Sequence, residues 1–235
     1  MSVFENTIRA TIQSLLRSTD ITPDAEIFLV QLIILAVIEP LVYKSILIME
    51  HKGTKTCDSR ELQTAIRAHF PKEISTHAVF EGTKDITRYQ GRRFDQVART
   101  KIFENAVKDM STSLKTDMSF GRGFWIYFAS VLEYIIAEVL KNSHKTSTGG
   151  AISVSDIRKG IKDDEELDRL FYPFSSKTVD ELIVSTIKVD SGQYRDKKHK
   201  QTRRTSSKPR TRSKSRRKSR SKSIAKPKRW LNNWF

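Results

Sequence analysis

Hydrophobic residues recur three and four positions apart along most of the first 190 residues, and this spacing predicts a helical chain. A short amphipathic helix is predicted over residues 3–17. The sequence TPD at residues 22–24 is a typical helix start, with a capping hydroxyl, a proline at the first helical position and an acid in the first turn. The apolar run behind it predicts a long helix to about His51, which Pro40 should bend or open into a turn.

Two shorter helices are predicted behind a loop at residues 52–56. The first covers RELQTAIRAHF, is capped by Asp58 or Ser59, and stops before Pro71. The second follows over about residues 72–89, where a tyrosine and several aliphatic residues can share one side.

A similar order follows in the second half of the chain. We predict an amphipathic helix over about residues 94–109, a polar connection, and a long apolar helix over about residues 124–143. A short helix, VSDIRKGI, then begins at a cap provided by Ser153 or Ser155. The next segment, DDEELDRLF, places its acids first, as suits a helix N-terminus. The order short, long, short therefore occurs twice, which indicates a duplicated architecture.

The duplication predicts how the core is built. A long helix that is apolar nearly all round cannot bury itself in a unit of about 70 residues that offers it only short neighbours. We therefore expect each half to complete the core of the other, with two long helices that cross. The fold class that follows is all-α.

The charge of the chain is concentrated at its C-terminal end. The formal net charge is +16, and residues 195–229 hold 18 of the 43 lysines and arginines but one of the 27 acids. The remaining 25 basic and 26 acidic residues nearly cancel. A polyanionic partner is the first expectation for such a chain. Any path for DNA on the body must be a local basic patch that an acidic face balances.

Residues 195–229 are rich in Arg, Lys and Ser, with the repeat RSKSRRKSRSKS, and this composition predicts a segment that is disordered on its own. It should bind DNA phosphates with a strong salt dependence. The composition alone also suits an RNA-binding or nuclear-import segment. The terminal RWLNNWF could stack on a partner, insert into a capsid or membrane-associated partner, fold back on the core, or have no role.

Several classes of protein are disfavoured. Cys57 is the only cysteine, which excludes an internal disulfide and argues against a cysteine-rich zinc site. The N-terminal sequence has neither the basic start nor the apolar run of a signal peptide. The longest apolar run, IFLVQLIILAVIEPLVY, holds a Gln, a Glu and a Pro, so we expect a core helix and no membrane span. The five histidines are scattered and no nucleophile–base pair, phosphate loop or metal spacing appears, so we expect neither an enzyme nor a metal or cofactor site.

Two parts of the chain resemble core histones. SRELQTAIRAHFPKEISTHAVFEGTKDITRY, residues 59–89, is similar to the third and C-terminal helices of histone 2B. FGRGFWIYFASVLEYIIAEVL (residues 120–140) and DIRKGIKDDEELDRL (residues 156–170) are similar to the central and third helices of histone 2A. The similarity runs in order along most of residues 1–171. The chain thus resembles a histone doublet, a 2B-type half fused to a 2A-type half, as found in large DNA viruses of amoebae, the marseilleviruses especially.

The resemblance implies four regions. They are a histone 2B-like fold with its C-terminal helix at residues 1–90, a histone 2A-like fold at residues 91–171, a docking-like extension at residues 172–194, and a basic tail with an aromatic terminus at residues 195–235. It implies that the two histone folds pair head to tail in an antiparallel handshake, in agreement with the expected crossing of the long helices. Fusion makes this pairing intramolecular.

Histones bind DNA without reading its sequence, through paired loops, helix N-termini and arginines in the minor groove. By resemblance, contacts are expected from the loops of both halves and from the junction between them. For any one of these residues, an ordinary solvated charge is about as good an explanation. The candidates are Arg17, Lys52, Lys55, Thr56, Arg92, Arg93, Arg99, Lys101, Lys115, Arg122 and Lys145.

Departures from the family predict a weaker grip on DNA. Ala151 falls where histone 2A has a loop arginine that enters the minor groove, and Gly53 and Thr54 fall where histone 2B is basic. We therefore expect looser wrapping than the ~147 bp of a eukaryotic nucleosome.

The resemblance also implies an exposed acidic cluster that binds basic peptides, often through an arginine. Its candidate residues are Glu73, Glu81, Glu133, Glu138, Asp164, Glu165 and Glu166. Lys141 replaces one of the family's acids, so we expect a weaker cluster with a different partner preference. For Asp164 to Glu166, a favourable interaction with a helix dipole is a sufficient alternative explanation.

The implied function is the packaging of double-stranded DNA in a nucleosome-like particle, together with a doublet of histone 4–3 type. The extension matches the docking segment of histone 2A poorly, but its apolar residues Leu182, Ile183, Val184, Ile187 and Val189 offer a surface for that partner. The alternative is a histone-fold regulatory or architectural module that does not form nucleosomes. The implied location is viral chromatin, in the virion and at the host-cell site of viral genome replication, a cytoplasmic factory or the nucleus.

Overall fold

The structure, a computed structural model, describes residues 3–16, 20–90, 119–147 and 150–190. The first half contains α1 (Val3–Leu15), α2 (Pro23–Ile33), α3 (Glu39–Lys52), α4 (Ser59–His69) and α5 (Lys72–Gln90). The second contains α6 (Arg122–Thr146), α7 (Val154–Lys162), α8 (Glu165–Phe171) and α9 (Val179–Asp190), with a 3₁₀ turn at Phe174–Ser176. Two short strands are β1 (Thr56–Cys57) and β2 (Ser119–Phe120). The prediction of an all-α chain is confirmed, and the helix predicted over residues 94–109 lies outside the described residues.

Local capping chemistry sets the helix starts. The hydroxyl of Thr22 accepts a hydrogen bond from the first turn of α2, with a proline at the first helical position as predicted. Of the alternatives that the sequence left open, Asp58 rather than Ser59 caps α4, and Ser153 rather than Ser155 caps α7. Both caps are reciprocal boxes in which the acid three residues later bonds back to the cap.

The first long helix continues through Pro40. α2 and α3 are joined by a π-helical segment, Ile34–Ile38, into one helix over Pro23–Lys52. Proline has no N–H to donate to the carbonyl of Ala36, four residues earlier. Nε2 of His69, in α4, lies 2.7 Å from that oxygen and must be the donor, because a carbonyl only accepts. A side chain from another helix therefore helps to accommodate the proline.

The two halves pack crosswise. α4, the short helix that follows the long helix of the first half, contacts α6, the long helix of the second half. In return, α7 contacts α2, and α5 lies along α6. One hydrophobic cluster takes in both halves, and its largest fully buried side chains include Phe28 of the first half and Phe124 and Phe128 of the second. Each half thus contributes to the core around the other's long helix.

The extension folds onto its own chain. α9 contacts α2 and the π-helical segment, and Leu182 is fully buried. Arg158 of α7 fixes the segment that leads into α9. One nitrogen of its guanidinium donates to the carbonyl of Lys177 at 2.6 Å, and the guanidinium carbon lies 5.0 Å from the centre of the Phe28 ring. Val184 remains 49% exposed. The side chains of Ile187 and Val189 lie outside the described residues.

Within the part of the chain that the structure describes, two helices, Pro23–Lys52 and Arg122–Thr146, are long and apolar enough to cross a membrane by length and composition. Within the fold, 78% and 67% of their most apolar windows are buried. The core helix of a soluble protein passes the same test, so length and composition carry little weight here.

Candidate nucleic-acid interface

Two loop pairings join the halves. In the first loop pair, residues 52–60 and 119–123, strands β1 and β2 run parallel, with Thr56 opposite Ser119. In the second loop pair, residues 20–24 and 150–153, Ile21 and Ile152 form a parallel bridge. Each pair places the end of one long helix beside the start of the other, so the second repeats the first with the halves exchanged.

Backbone hydrogen bonds fix the first loop pair. The N–H of Ser119 donates to the carbonyl of Lys55 at 3.1 Å, and the N–H of Gly121 donates to that of Cys57 at 2.8 Å. The hydroxyls of Thr56 and Ser119 lie 2.9 Å apart and are exposed. This geometry presents two hydroxyl groups beside the N-terminus of α6.

Four predicted DNA contacts lie at the first loop pair. Lys55, Thr56 and Arg122 have exposed side chains. Nζ of Lys52 lies 2.6 Å from the carboxylate of Glu61, whose side chain is 9% exposed. Burial opposes ionisation of Glu61, but hydrogen bonds from Lys52 and the backbone hold its pKa below the ordinary value. A phosphate would therefore compete with Glu61 for Lys52.

The second loop pair is less basic within the described residues. The N–H of Ile152 donates to the carbonyl of Asp20 at 2.8 Å, and Ala151 beside it is exposed. Lys145, in the last turn of α6, donates to the side-chain oxygen of Asn142 at 2.9 Å. The other predicted contacts lie outside the described residues: Arg17, Arg92, Arg93, Arg99, Lys101 and Lys115.

The predicted acidic residues come from α5, α6 and the start of α8, and several of them converge on Tyr134. Burial raises the pKa of the Tyr134 hydroxyl to about 12, and the negative charges of Glu138, Asp164, Glu166 and Glu81 contribute in the same direction. The ring of His77 lies 6.2 Å from the Tyr134 ring. An acidic surface is therefore assembled from both halves.

Two of these acids are used within the fold. Oδ1 of Asp164 accepts the N–H groups of Glu166 and Leu167, both at 3.0 Å, and so caps α8. The carboxylate of Glu166 accepts the N–H groups of Glu73 at 3.1 Å and Ile74 at 2.8 Å, in the first turn of α5. The explanation by helix-terminal charge therefore applies to both, and Glu166 also links the halves.

Other members of the acidic surface have basic neighbours. Lys84 lies 2.6 Å from Glu81, and Lys141 lies 2.9 Å from Glu138. Glu165 forms an ion pair with Arg169. Lys141 therefore balances the charge of a neighbouring acid on the same helix.

An open groove of about 330 Å³ lies beside this surface, mainly between α5 and α6. Glu81, Glu133 and Tyr134 line it together with Asp85 and Arg88. Asp85 accepts a hydrogen bond from Ser130 at 2.6 Å and pairs with Arg88 at 3.1 Å.

Sequence reasoning missed two residues at these surfaces. It treated Asp58 only as a cap, although Asp58 also lies against Gly121 and Gly123 of the other half. Two glycines at the start of a long helix were the available signal, because they permit a close approach. Phe80, next to Glu81, is 63% exposed, with Nζ of Lys84 5.9 Å from its ring centre.

No protein-family model matches the chain. Within the described ranges, no group of three or more His, Cys, Asp or Glu side chains is placed to hold a metal ion.

Proposed function

We propose that this chain is a histone doublet, two histone folds paired in one polypeptide, that compacts double-stranded DNA without reading its sequence. The observation that carries the proposal is the pair of exchanged loop pairings, together with the packing of the short helix after each long helix on the long helix of the other half. This arrangement agrees with the antiparallel handshake that the resemblance to histones 2B and 2A implies.

The first loop pair supports a contact with phosphates. Exposed Lys55 and Arg122 supply positive charge, and the exposed hydroxyl of Thr56 can donate to a phosphate oxygen. Because the charges of the body nearly cancel, residues 195–229 supply most of the long-range attraction to DNA. The proposed complex is a nucleosome-like particle with a histone 4–3 type doublet, in viral chromatin.

Charge-matched variants test the interface. We expect the double variant Lys55→Ala/Arg122→Ala to bind a DNA duplex roughly tenfold more weakly at moderate salt, because about two phosphate contacts are lost. The control, Arg67→Ala/Lys72→Ala, removes two exposed positive charges that belong to neither loop pair and should change the affinity less than about twofold. Equal losses in the two variants would show that only net charge matters.

Reconstitution tests the particle. The full chain is mixed with DNA, with and without a histone 4–3 type doublet, and digested with a nuclease. We expect a discrete protected length only with the partner, shorter than ~147 bp. Protection of the full length would contradict looser wrapping. Binding without any discrete length would favour the regulatory or architectural module, and no binding would refute both.

The acidic surface is the proposed site for basic peptides. Glu133 lies on the second long helix and lines the open groove, so we assign the first contact to it. An arginine-containing peptide should bind the Glu133→Ala variant several-fold more weakly than it binds Asp180→Ala, a variant of an exposed acid on α9. Equal binding to the two variants would exclude this surface.

A further inference from the structure

Asp58 lies where the two halves meet at the first loop pair. Its Oδ1 accepts the N–H of Ser59 at 2.8 Å, and its own N–H donates to Glu61 at 2.9 Å, so it caps α4. The same oxygen lies against the first turn of α6. A Cβ placed on Gly121 or Gly123 would be 3.1 or 2.6 Å from it. The absence of side chains at these two glycines is what admits the carboxylate.

The sequence of α6 does not provide its own anion. This 25-residue helix has Gly121 at its N-cap, with no side-chain cap hydrogen bond, and no acid in its first turn. The first N–H groups of a helix and its dipole attract negative charge. The carboxylate of Asp58, contributed by the other half, provides that charge. Asp58 is exposed, and it belongs to the same loop pair as the exposed basic residues Lys55 and Arg122.

We propose that Asp58 is a positioning residue that joins the two halves and, at the same time, limits the affinity of the first loop pair for DNA. Its fixed negative charge occupies the place at the start of α6 to which a phosphate would be drawn. The inference rests on the proposed DNA-binding function. If the proposal holds, a residue of the chain itself, Asp58, lowers the affinity of the first loop pair for DNA.

The variant Asp58→Asn separates the two roles. Asparagine caps a helix about as well as aspartate, so α4 keeps its cap, while the charge beside α6 is removed. We expect roughly threefold tighter binding to a DNA duplex at moderate salt, and a salt dependence steeper by about one released counterion. The melting temperature should fall, since the halves lose a favourable charge interaction. Tighter binding by a less stable protein is not expected from a purely structural residue, whose loss weakens both.

Asp180→Asn is the matched control, because it removes one exposed acid in the first turn of α9, a residue that belongs to neither loop pair. An equal gain in affinity in this control would overturn the proposal, as would unchanged or weaker binding by Asp58→Asn. If Asp58→Asn does not fold, Asp58→Ser, which also keeps a capping oxygen, is measured instead. If neither variant folds, Asp58 is structural only and the proposal is wrong. A wild-type chain that binds no DNA would instead refute the proposed function, and the melting temperatures would still test the link between halves.

Discussion

Among single residues, glycines decide how closely the helices approach. Gly82 lies inside α5, where glycine costs about 1 kcal/mol relative to alanine. A Cβ there would lie 2.3 Å from the ring of Tyr127, whose hydroxyl donates to the carbonyl of Val79 at 3.0 Å. At Gly160 of α7, a Cβ would lie 2.6 Å from the backbone nitrogen of Ser143. At both sites the low helix propensity of glycine is offset by the closer contact between helices that it allows.

These contacts predict an order of stability among three alanine variants. Gly160→Ala should lower the free energy of unfolding most, by about 2–3 kcal/mol, because a backbone atom cannot move aside. Gly82→Ala should lower it by about 1–2 kcal/mol, since a ring can shift. Gly150→Ala, where nothing lies within 4 Å, is the control and should change little. Urea denaturation measures all three, and a stabilised Gly82→Ala would show that helix propensity outweighs packing.

Cys57 should be chemically inert in the folded protein. Burial raises the pKa of its thiol to about 12, the negative charges of Glu61 and Asp58 act in the same direction, and the positive charge of Lys52 opposes them. Only the thiolate reacts with disulfide reagents. Folding therefore favours the protonated thiol and is in turn stabilised by it. This stabilisation is complete below the pKa of the unfolded thiol and is lost as pH rises towards 12.

Because Cys57 is the only cysteine, labelling with a disulfide reagent reports on it alone. At pH 8 we expect the folded chain to react at least tenfold more slowly than the same chain in denaturant. Reaction at the denatured rate would place the thiol at the surface instead.

At the scale of helices and loops, the sequence predicts what depends on neighbouring residues and misses what depends on distant ones. The starts of α2, α4 and α7 follow from capping residues a few positions from the helix. The π-helical segment before Pro40 was not predicted, because one of its stabilising contacts comes from His69 in another helix. The packing of α9 on α2 was not predicted for the same reason. Apolar residues predict a buried surface but do not identify what covers it.

The packing of α9 predicts a difference between two of its apolar residues. Leu182→Ala should lower the free energy of unfolding of the isolated chain by about 2–4 kcal/mol, because a fully buried side chain is removed from the core. Val184→Ala, on a side chain that is 49% exposed, is the control and should cost less than about 1 kcal/mol. Equal, small effects would mean that the extension does not pack on its own chain in solution.

Across the whole molecule, the sequence indicated which residues lie on a common surface better than it indicated which groups those residues contact. The first loop pair and the acidic surface contain residues that the resemblance indicated. Lys52, Asp164 and Glu166 nevertheless bond to groups within the fold. Spacing along a chain cannot show this use of Lys52 and Glu166, since Glu61 and the first turn of α5 become their neighbours only after folding. The capping role of Asp164 is local, and the sequence offered it as an alternative.

The crosswise packing makes a prediction about the chain as a unit. α4 and α5 of the first half pack on α6 of the second, and α7 packs on α2, so neither half buries its long helix alone. If residues 1–90 and 91–235 are produced as separate chains, each alone should be largely unfolded or aggregated. Produced together, they should purify as a one-to-one complex.

Thermal unfolding then shows what the fusion adds. The melting temperature of the two-chain complex should rise with protein concentration, because its halves dissociate on unfolding. That of the intact chain should not, because the connection keeps the halves at a high effective concentration. A stable, monomeric 1–90 fragment would contradict the shared core, because a half that folds alone needs no partner helix. A concentration-dependent melting temperature for the intact chain would instead indicate that the halves pair between molecules.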